Sequence, residues 1–403
     1  MVMNVLVLTN TWPSLSEVFV KNLVDGLLER NISVTVLCKK AKGPRTTGFH
    51  GHGGTILYFT AKKIIVTLIH LMLVLPIFVF LKPSAFFSLC GNLAIHHDFS
   101  TLLAPLAWFH VRNERFDAIH CQFGYLGNIG LILKKAGITT GPVISSFRGS
   151  DISSYHKRKP AVYRVLKRKG DLFLPVCAEF RDRLVCLGFP EKSIRIYHSA
   201  IELNDFPFRR TDLKNYSEPG IVCAGRLVEK KGFSYAIEAL RHLLQIDPGY
   251  HMVIAGDGPL AEELQKMAVR EGVADHVRFA GWIDQETLRS LLEHAAIFLA
   301  TNIESKSGDT DGIPNIVKEA MATGVPVVAF DHPGLQELIV HRTSGLLVPS
   351  RDVTGIVSAI EELRNDRLRK EICKNARQTI EKEYSKEAQA RYLEQLIQEY
   401  SEK

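Results

Sequence analysis

The segment Ser307–Phe330, SGDTDGIPNIVKEAMATGVPVVAF, holds a polar loop, a helix and a buried strand in that order. Pro314 follows a glycine-containing loop and precedes helix formers, so it suits the first residue of a helix. The N–H groups of Asn315, Ile316 and Val317 then point out of the helix start, where unpaired donors favour a phosphate. Asp311 stands in the loop ahead of the helix and Glu319 inside it, eight positions later. At ~1.5 Å rise per residue the two carboxylates flank one helix mouth without meeting. A diphosphate held by the N–H groups leaves each carboxylate to face hydroxyl groups. Gly324 to Ala329 reads as a turn into a buried strand. An ordinary helix-to-strand turn with surface acids has the same spacing.

The same residues resemble the E-x7-E signature of glycosyltransferase family 4, whose usual form is close to E-G-x-P-x-x-x-x-E-A-M-A-x-G-x-P-V-V. The chain matches at Gly312, Pro314, Glu319, Ala320, Met321, Ala322, Gly324, Pro326, Val327 and Val328, and has Asp311 where the first Glu stands. A match of that length is far more specific than a lone glycine motif. The resemblance implies an α/β protein of the GT-B class: two Rossmann-like doubly wound domains facing each other across a cleft, catalysing retaining sugar transfer. Within the family the chain resembles the subgroup of colanic acid and exopolysaccharide biosynthesis.

A chain of 403 residues suits two domains, and with nearly half its residues apolar each half can bury a core. The net charge of +7 is too small to argue for nucleic acid, yet it favours an anionic membrane surface. Seven cysteines without a C-x-x-C pair suit reduced thiols in a cytoplasm. Met1 to Leu8 runs into a polar turn with no basic residues ahead, which argues against a signal peptide.

Asn4 to Thr9 is a strand pattern, followed by a loop, an amphipathic helix over Val18–Arg30 and a second strand over Ser33–Cys38. This βαβ start belongs to a doubly wound sheet, whose ligands bind beyond the strand carboxyl ends. Ser16 in the first loop is therefore either a donor contact or a plain helix cap. Ile64–Leu81 has 18 residues without a charge, at the short end of a bilayer span. Pro76, His70 and the sheet pattern on both sides favour a membrane-dipping or interfacial helix, or packing in the core. Lys62, Lys63, Lys82, His156–Lys159 and Lys167–Lys169 suit anionic headgroups; solvated basic faces are the plainer reading.

Strand patterns end at His120 and at Arg148-Gly149-Ser150-Asp151. The family commonly has H-G-x-D at the second place, with its His on the transferred sugar; here Arg148 replaces it. An arginine cannot act as a base near neutral pH but can hold a phosphate oxygen or sugar hydroxyl. His120 offers neutral imidazole chemistry or serves the core. Arg195–Glu202 resembles the family's strand ending in H-N-G-V-D, loosely. Leu203–Pro219 reads as a linker. Gly220–Gly225 is a short strand leading to Arg226 and Lys231, close to the family's G-R-L-x-x-x-K-G, and Gly256-Asp257-Gly258 follows the next strand pattern. Two cations at a strand end match the charge of a leaving nucleoside diphosphate.

The expected domains are 1–203, binding the acceptor, and 204–383, binding the nucleotide sugar, with a last helix over 384–403 packing back on the first. Asp311, Arg148 and His120 are the expected catalytic residues: the resemblance implies the first two, by their places in its motifs, and His120 is added for its place at a strand end. Arg226, Lys231, Gly258, Asn315, Ile316, Val317, Glu319 and Ser16 are the expected donor-binding set. Glu319 takes the ribose diol. The expected partners are a UDP- or GDP-sugar and a saccharide or lipid-linked saccharide, at the cytoplasmic face of the membrane, without nucleic acid. No cofactor is expected. Asp309-Thr310-Asp311 resembles a metal-binding D-x-D, yet two carboxylates make a poor Mg²⁺ site beside a helix start. A nucleotide-sugar binder without turnover is the second reading. A dinucleotide oxidoreductase lacks its G-x-G-x-x-G at both candidate places.

Overall fold

The computed structural model describes residues 2–12, 18–41, 54–60, 64–96, 99–149, 151–155, 159, 161–208 and 220–402. Ser16, Lys62, Lys63, His156–Arg158 and the linker residues 209–219 lie outside them. The chain divides into two compact units, Met1–Ala200 with Lys386–Lys403, and Ile201–Ser385.

The first unit carries β1 (Asn4–Trp12), β2 (Ser33–Ala41), β3 (Thr55–Tyr58), β4 (Ala118–Cys121), β5 (Val143–Phe147) and β6 (Leu172–Pro175). They form one parallel sheet in the order β3-β2-β1-β4-β5-β6. The strands are apolar runs because both faces are covered: Val5 and Val7 pack under the helix Val18–Glu29, while Leu6 and Leu8 are buried on the other side. Chain order reverses between β1 and β4, the place where a doubly wound sheet opens a crevice.

The C-terminal helix Lys386–Ser401 belongs to this unit and lies on Val18–Glu29. Leu393, Leu396 and Ile397 join the cluster of Leu23, Val24 and Leu27. Gly26 permits the approach, since a Cβ there would sit 2.9 Å from that of Ala390. Arg30–Glu394 and Lys386–Glu29 ion pairs fix the register.

The second unit repeats the plan with β7 (Gly220–Ala224), β8 (His251–Ala255), β9 (Val277–Gly281), β10 (Ile297–Ala300), β11 (Val327–Phe330) and β12 (Leu346–Val348). Their order is β12-β11-β10-β7-β8-β9, all parallel, with the reversal between β7 and β10. Alternation along β7 feeds two cores: Ile221 and Cys223 meet the helix Phe233–Ile246, whereas Val222 meets the helix Asn315–Thr323.

Three sequence expectations shift locally. Arg195–Ala200 is irregular rather than a strand, flanked by single bridges at Ile194 and Ile201. The expected linker begins inside the second unit, where Phe206 is 2% exposed in its core. Pro314 is the last extended residue before the helix instead of its first helical one, because its ψ is 128°. None of the seven cysteines is joined to another in a disulfide.

Candidate active site

In the second unit the loop behind β7 carries Arg226, Lys230 and Lys231. The N–H of Gly225 donates to the Ala255 carbonyl (2.9 Å) and that of Leu227 to the Asp257 carbonyl (2.9 Å), joining the ends of β7 and β8. Gly258 completes the junction, since a Cβ there would strike the Leu227 backbone. Gly232 turns the chain into the next helix at φ +61°, where any Cβ would collide with the Thr301 carbonyl. The Thr301 hydroxyl donates to the Lys231 carbonyl (3.0 Å) and the Ile303 N–H to the Lys230 carbonyl (2.9 Å). Both lysines are thereby pinned to the end of β10, across the point where strand order reverses.

Their side chains converge on the loop of the quoted segment. Lys231 Nζ lies 2.8 Å from Asp311 Oδ2. Lys230 Nζ bridges Asp311 Oδ1 (3.1 Å) and Asp309 Oδ2 (3.0 Å). Asn302 Nδ2 donates to Asp311 Oδ2 at 2.8 Å. Burial pushes the Asp311 carboxyl up, but the two ammonium groups outweigh it and hold the group well below the usual carboxylate range. Burial likewise works against the Lys230 ammonium, and Asp311 and Asp309 override it, raising its pKa. Asp311, expected on the sugar, thus has both oxygens engaged by protein donors. Arg226 is exposed and makes no side-chain hydrogen bond or ion pair among the described residues.

Asp311 lies four residues ahead of the helix Asn315–Thr323, so the clamp ties two lysines to the loop that leads into that helix. No side chain caps it. The Val317 N–H is already bonded to the Pro314 carbonyl at 3.2 Å. Of the three amides expected to be open, this leaves Asn315 and Ile316 without an acceptor among the described residues. Glu319, in the second turn, is 9% exposed. Burial pushes its pKa up to about 7 against the pull of Lys318 and a hydrogen bond with Gln285. Behind the loop, Thr310 bonds His332, which caps the helix Pro333–Leu338 by accepting from the Gly334 N–H.

The first unit has its own polar group at the ends of β4 and β5. Arg148 donates to Ser199 Oγ and to Gln122 Oε1, each at 2.9 Å, and its guanidinium lies 4.4 Å from the Phe19 ring centre. Asp151 orders the loop: its carboxylate accepts from the N–H groups of Gly124 (3.1 Å), Arg148 (3.0 Å) and Gly149 (2.9 Å). Burial nevertheless raises its pKa. His120 is fully buried with Nε2 2.8 Å from Ser146 Oγ. Burial, then Arg148, lowers its pKa to about 3, so the ring is neutral. It has no exposed surface through which to meet a substrate.

Sequence reasoning passed over Lys230, Asn302, Gln122 and Ser199. The Lys230-Lys231 doublet was visible, but only one member matched the family pattern. Asn302, Gln122 and Ser199 carry no motif; the sheet order alone brings them to these strand ends.

Comparison with known proteins says which family the chain belongs to. A family model described as Glycosyltransferase Family 4 matches residues 16–205, and one described as Glycosyl transferases group 1 matches 206–383. The putative colanic acid biosynthesis glycosyltransferase WcaL of Escherichia coli K12 is 31% identical over 290 residues, covering 70% of this chain and 71% of that one. A GDP-mannose-dependent alpha-(1-6)-phosphatidylinositol monomannoside mannosyltransferase of Mycobacterium tuberculosis is 30% identical, covering 69% and 75%. The crystal structure of Anabaena HepE in complex with UDP and glucose matches 98% of this chain and 100% of its own, with a TM-score of 0.71 and 16% identity. The chain belongs to glycosyltransferase family 4 and is a glycosyltransferase with the GT-B fold.

Proposed function

We propose that the protein transfers a sugar, with retention, from a nucleotide-diphosphate donor to a hydroxyl of a saccharide or lipid-linked saccharide, in the assembly of a surface polysaccharide. The observation that carries this reading is the Asp311 clamp, which gathers Lys230 and Lys231 on the loop leading into a helix start that no side chain caps. Fixed cations and open amides stabilise a charge that grows on departure, which is what a leaving diphosphate requires. Arg226 is the exposed third cation, and Glu319 accepts the ribose diol as a carboxylate. Asp311 then acts on the sugar by holding the lysines, or by exchanging one lysine for a hydroxyl when donor binds.

The bonding pair of the anomeric carbon leaves with the diphosphate. The acceptor oxygen bonds to that carbon on the same face and gives its proton to the leaving phosphate oxygen. In this reading no step is routed through a metal, and the Lys230 ammonium between Asp309 and Asp311 does the work of a D-x-D cation. Arg148, with Gln122 and Ser199, is assigned to sugar or acceptor oxygens, and neutral His120 supports their strand ends. The surface-polysaccharide role rests on likeness to WcaL, and the donor class on HepE and the mycobacterial enzyme. A thermal-shift panel of UDP-, GDP- and ADP-sugars tests the donor reading, because only a true ligand raises the melting point by mass action.

A further inference from the structure

The helix Ile64–Leu81 and a cavity beside it have no place in that chemistry. At about 100° per residue, buried Thr67, Val74 and Phe78 fall within an arc of about 40°. Exposed Ile64, Ile65, Met72, Leu73, Phe80 and Leu81 spread over about 260° of the remaining circumference. Met72 is 74% and Phe80 85% exposed. A protein groove or a second copy covers a stripe of about 100° on such a helix. Only a fluid apolar phase covers the rest. Charge agrees: between Asn31 and His97 there is no acidic residue and there are seven lysines or arginines. Such a stretch is drawn to anionic headgroups. β3 of the first unit precedes the helix, and the helix Pro83–His96 that follows it packs on Gly127–Lys135 of the same unit, so it enters a membrane without crossing.

A cavity of about 560 Å³ opens between β3, this helix and Ala104–Val111. Its walls include Ile56, Leu57, Leu73, Ile77, Leu106 and Phe109. Exposed His70 and His110 also line it, giving it a polar side. The volume is that of a small-ligand site, and the apolar wall is continuous with the exposed helix face. We propose that Ile64–Leu81 lies in the hydrocarbon of an anionic bilayer and that this cavity receives one hydrocarbon chain drawn from it. The proposal is independent of the donor reading, and its test contains no sugar.

The full chain is floated with vesicles of phosphatidylglycerol and phosphatidylethanolamine carrying a trace of diazirine-tailed phospholipid, then irradiated, digested and mapped. The expected result is flotation, label on Leu57, Leu106 or Phe109, and at least a tenfold fall in the floated fraction for Met72→Glu/Phe80→Glu. Both substitutions fall on exposed positions, and an unchanged melting point certifies the fold. Label confined to the exposed helix face overturns the cavity assignment. Failure to float, or a concentration-dependent dimer that Met72→Glu/Phe80→Glu converts to monomer, overturns the bilayer assignment in favour of a second copy.

Discussion

Replacing Glu319 with Gln isolates the cost of burying a carboxyl at the donor site. Its pKa rises from an ordinary 4.5 to about 7, because burial outweighs Lys318 and Gln285. That difference corresponds to about 3 kcal/mol. The folded state holds its proton more tightly than the unfolded chain. Its contribution is therefore fully present below pH 4.5 and is lost as pH rises through about 7. Relative to Glu319→Gln, the wild type should lose about 3 kcal/mol of unfolding free energy between pH 4.5 and 7.5. At a urea slope of ~2–3 kcal/mol/M this moves the midpoint difference by about 1 M. Other titrating groups are common to both proteins and cancel. A saturating nucleoside diphosphate should flatten the slope, since ribose hydroxyls donating to Glu319 favour its charged form. Donor affinity should then rise with pH through 7, with proton release seen by calorimetry in buffers of different ionisation enthalpy. Parallel midpoint–pH lines for the two proteins would refute the reasoning.

Arg148→Ala should lower kcat/KM by about 10- to 100-fold, the worth of hydrogen bonds from a charged donor, while leaving the thermal shift by nucleoside diphosphate unchanged. Steady-state kinetics and melting curves on the same preparation separate the two. Gly232→Ala should destabilise by about 2 kcal/mol or more, because the left-handed φ and the Thr301 carbonyl both reject a Cβ. A fall in melting temperature without donor checks it. Sugar transfer should be unchanged after chelation with EDTA, and a loss restored by Mg²⁺ would mean that Lys230 does not replace a metal.

Much of this was legible in the sequence because a few residue types have narrow uses. The apolar runs at Val5–Leu8, Ile221–Ala224 and Val327–Phe330 are strands buried on both faces, and the motif at Asp311–Val328 fixed which helix follows which loop. Periodicity could not say which strands are neighbours. It therefore could not show that Lys231, on the loop after β7, meets Asp311, which follows β10. Nor could it show that His120 is sealed while Arg148 is only partly buried, since burial depends on what packs over a strand end. Pro314 illustrates a finer limit: proline suits both the last extended residue and the first helical one, and only its ψ separates them.

The most direct test of diphosphate binding between the lysine pair and the helix start is calorimetric titration of UDP and GDP into wild-type protein and Lys231→Ala. One of the two nucleotides should bind the wild type, and Lys231→Ala should weaken it at least tenfold while keeping its circular dichroism. Absence of binding by both nucleotides, or equal affinity for the folded variant, would contradict it.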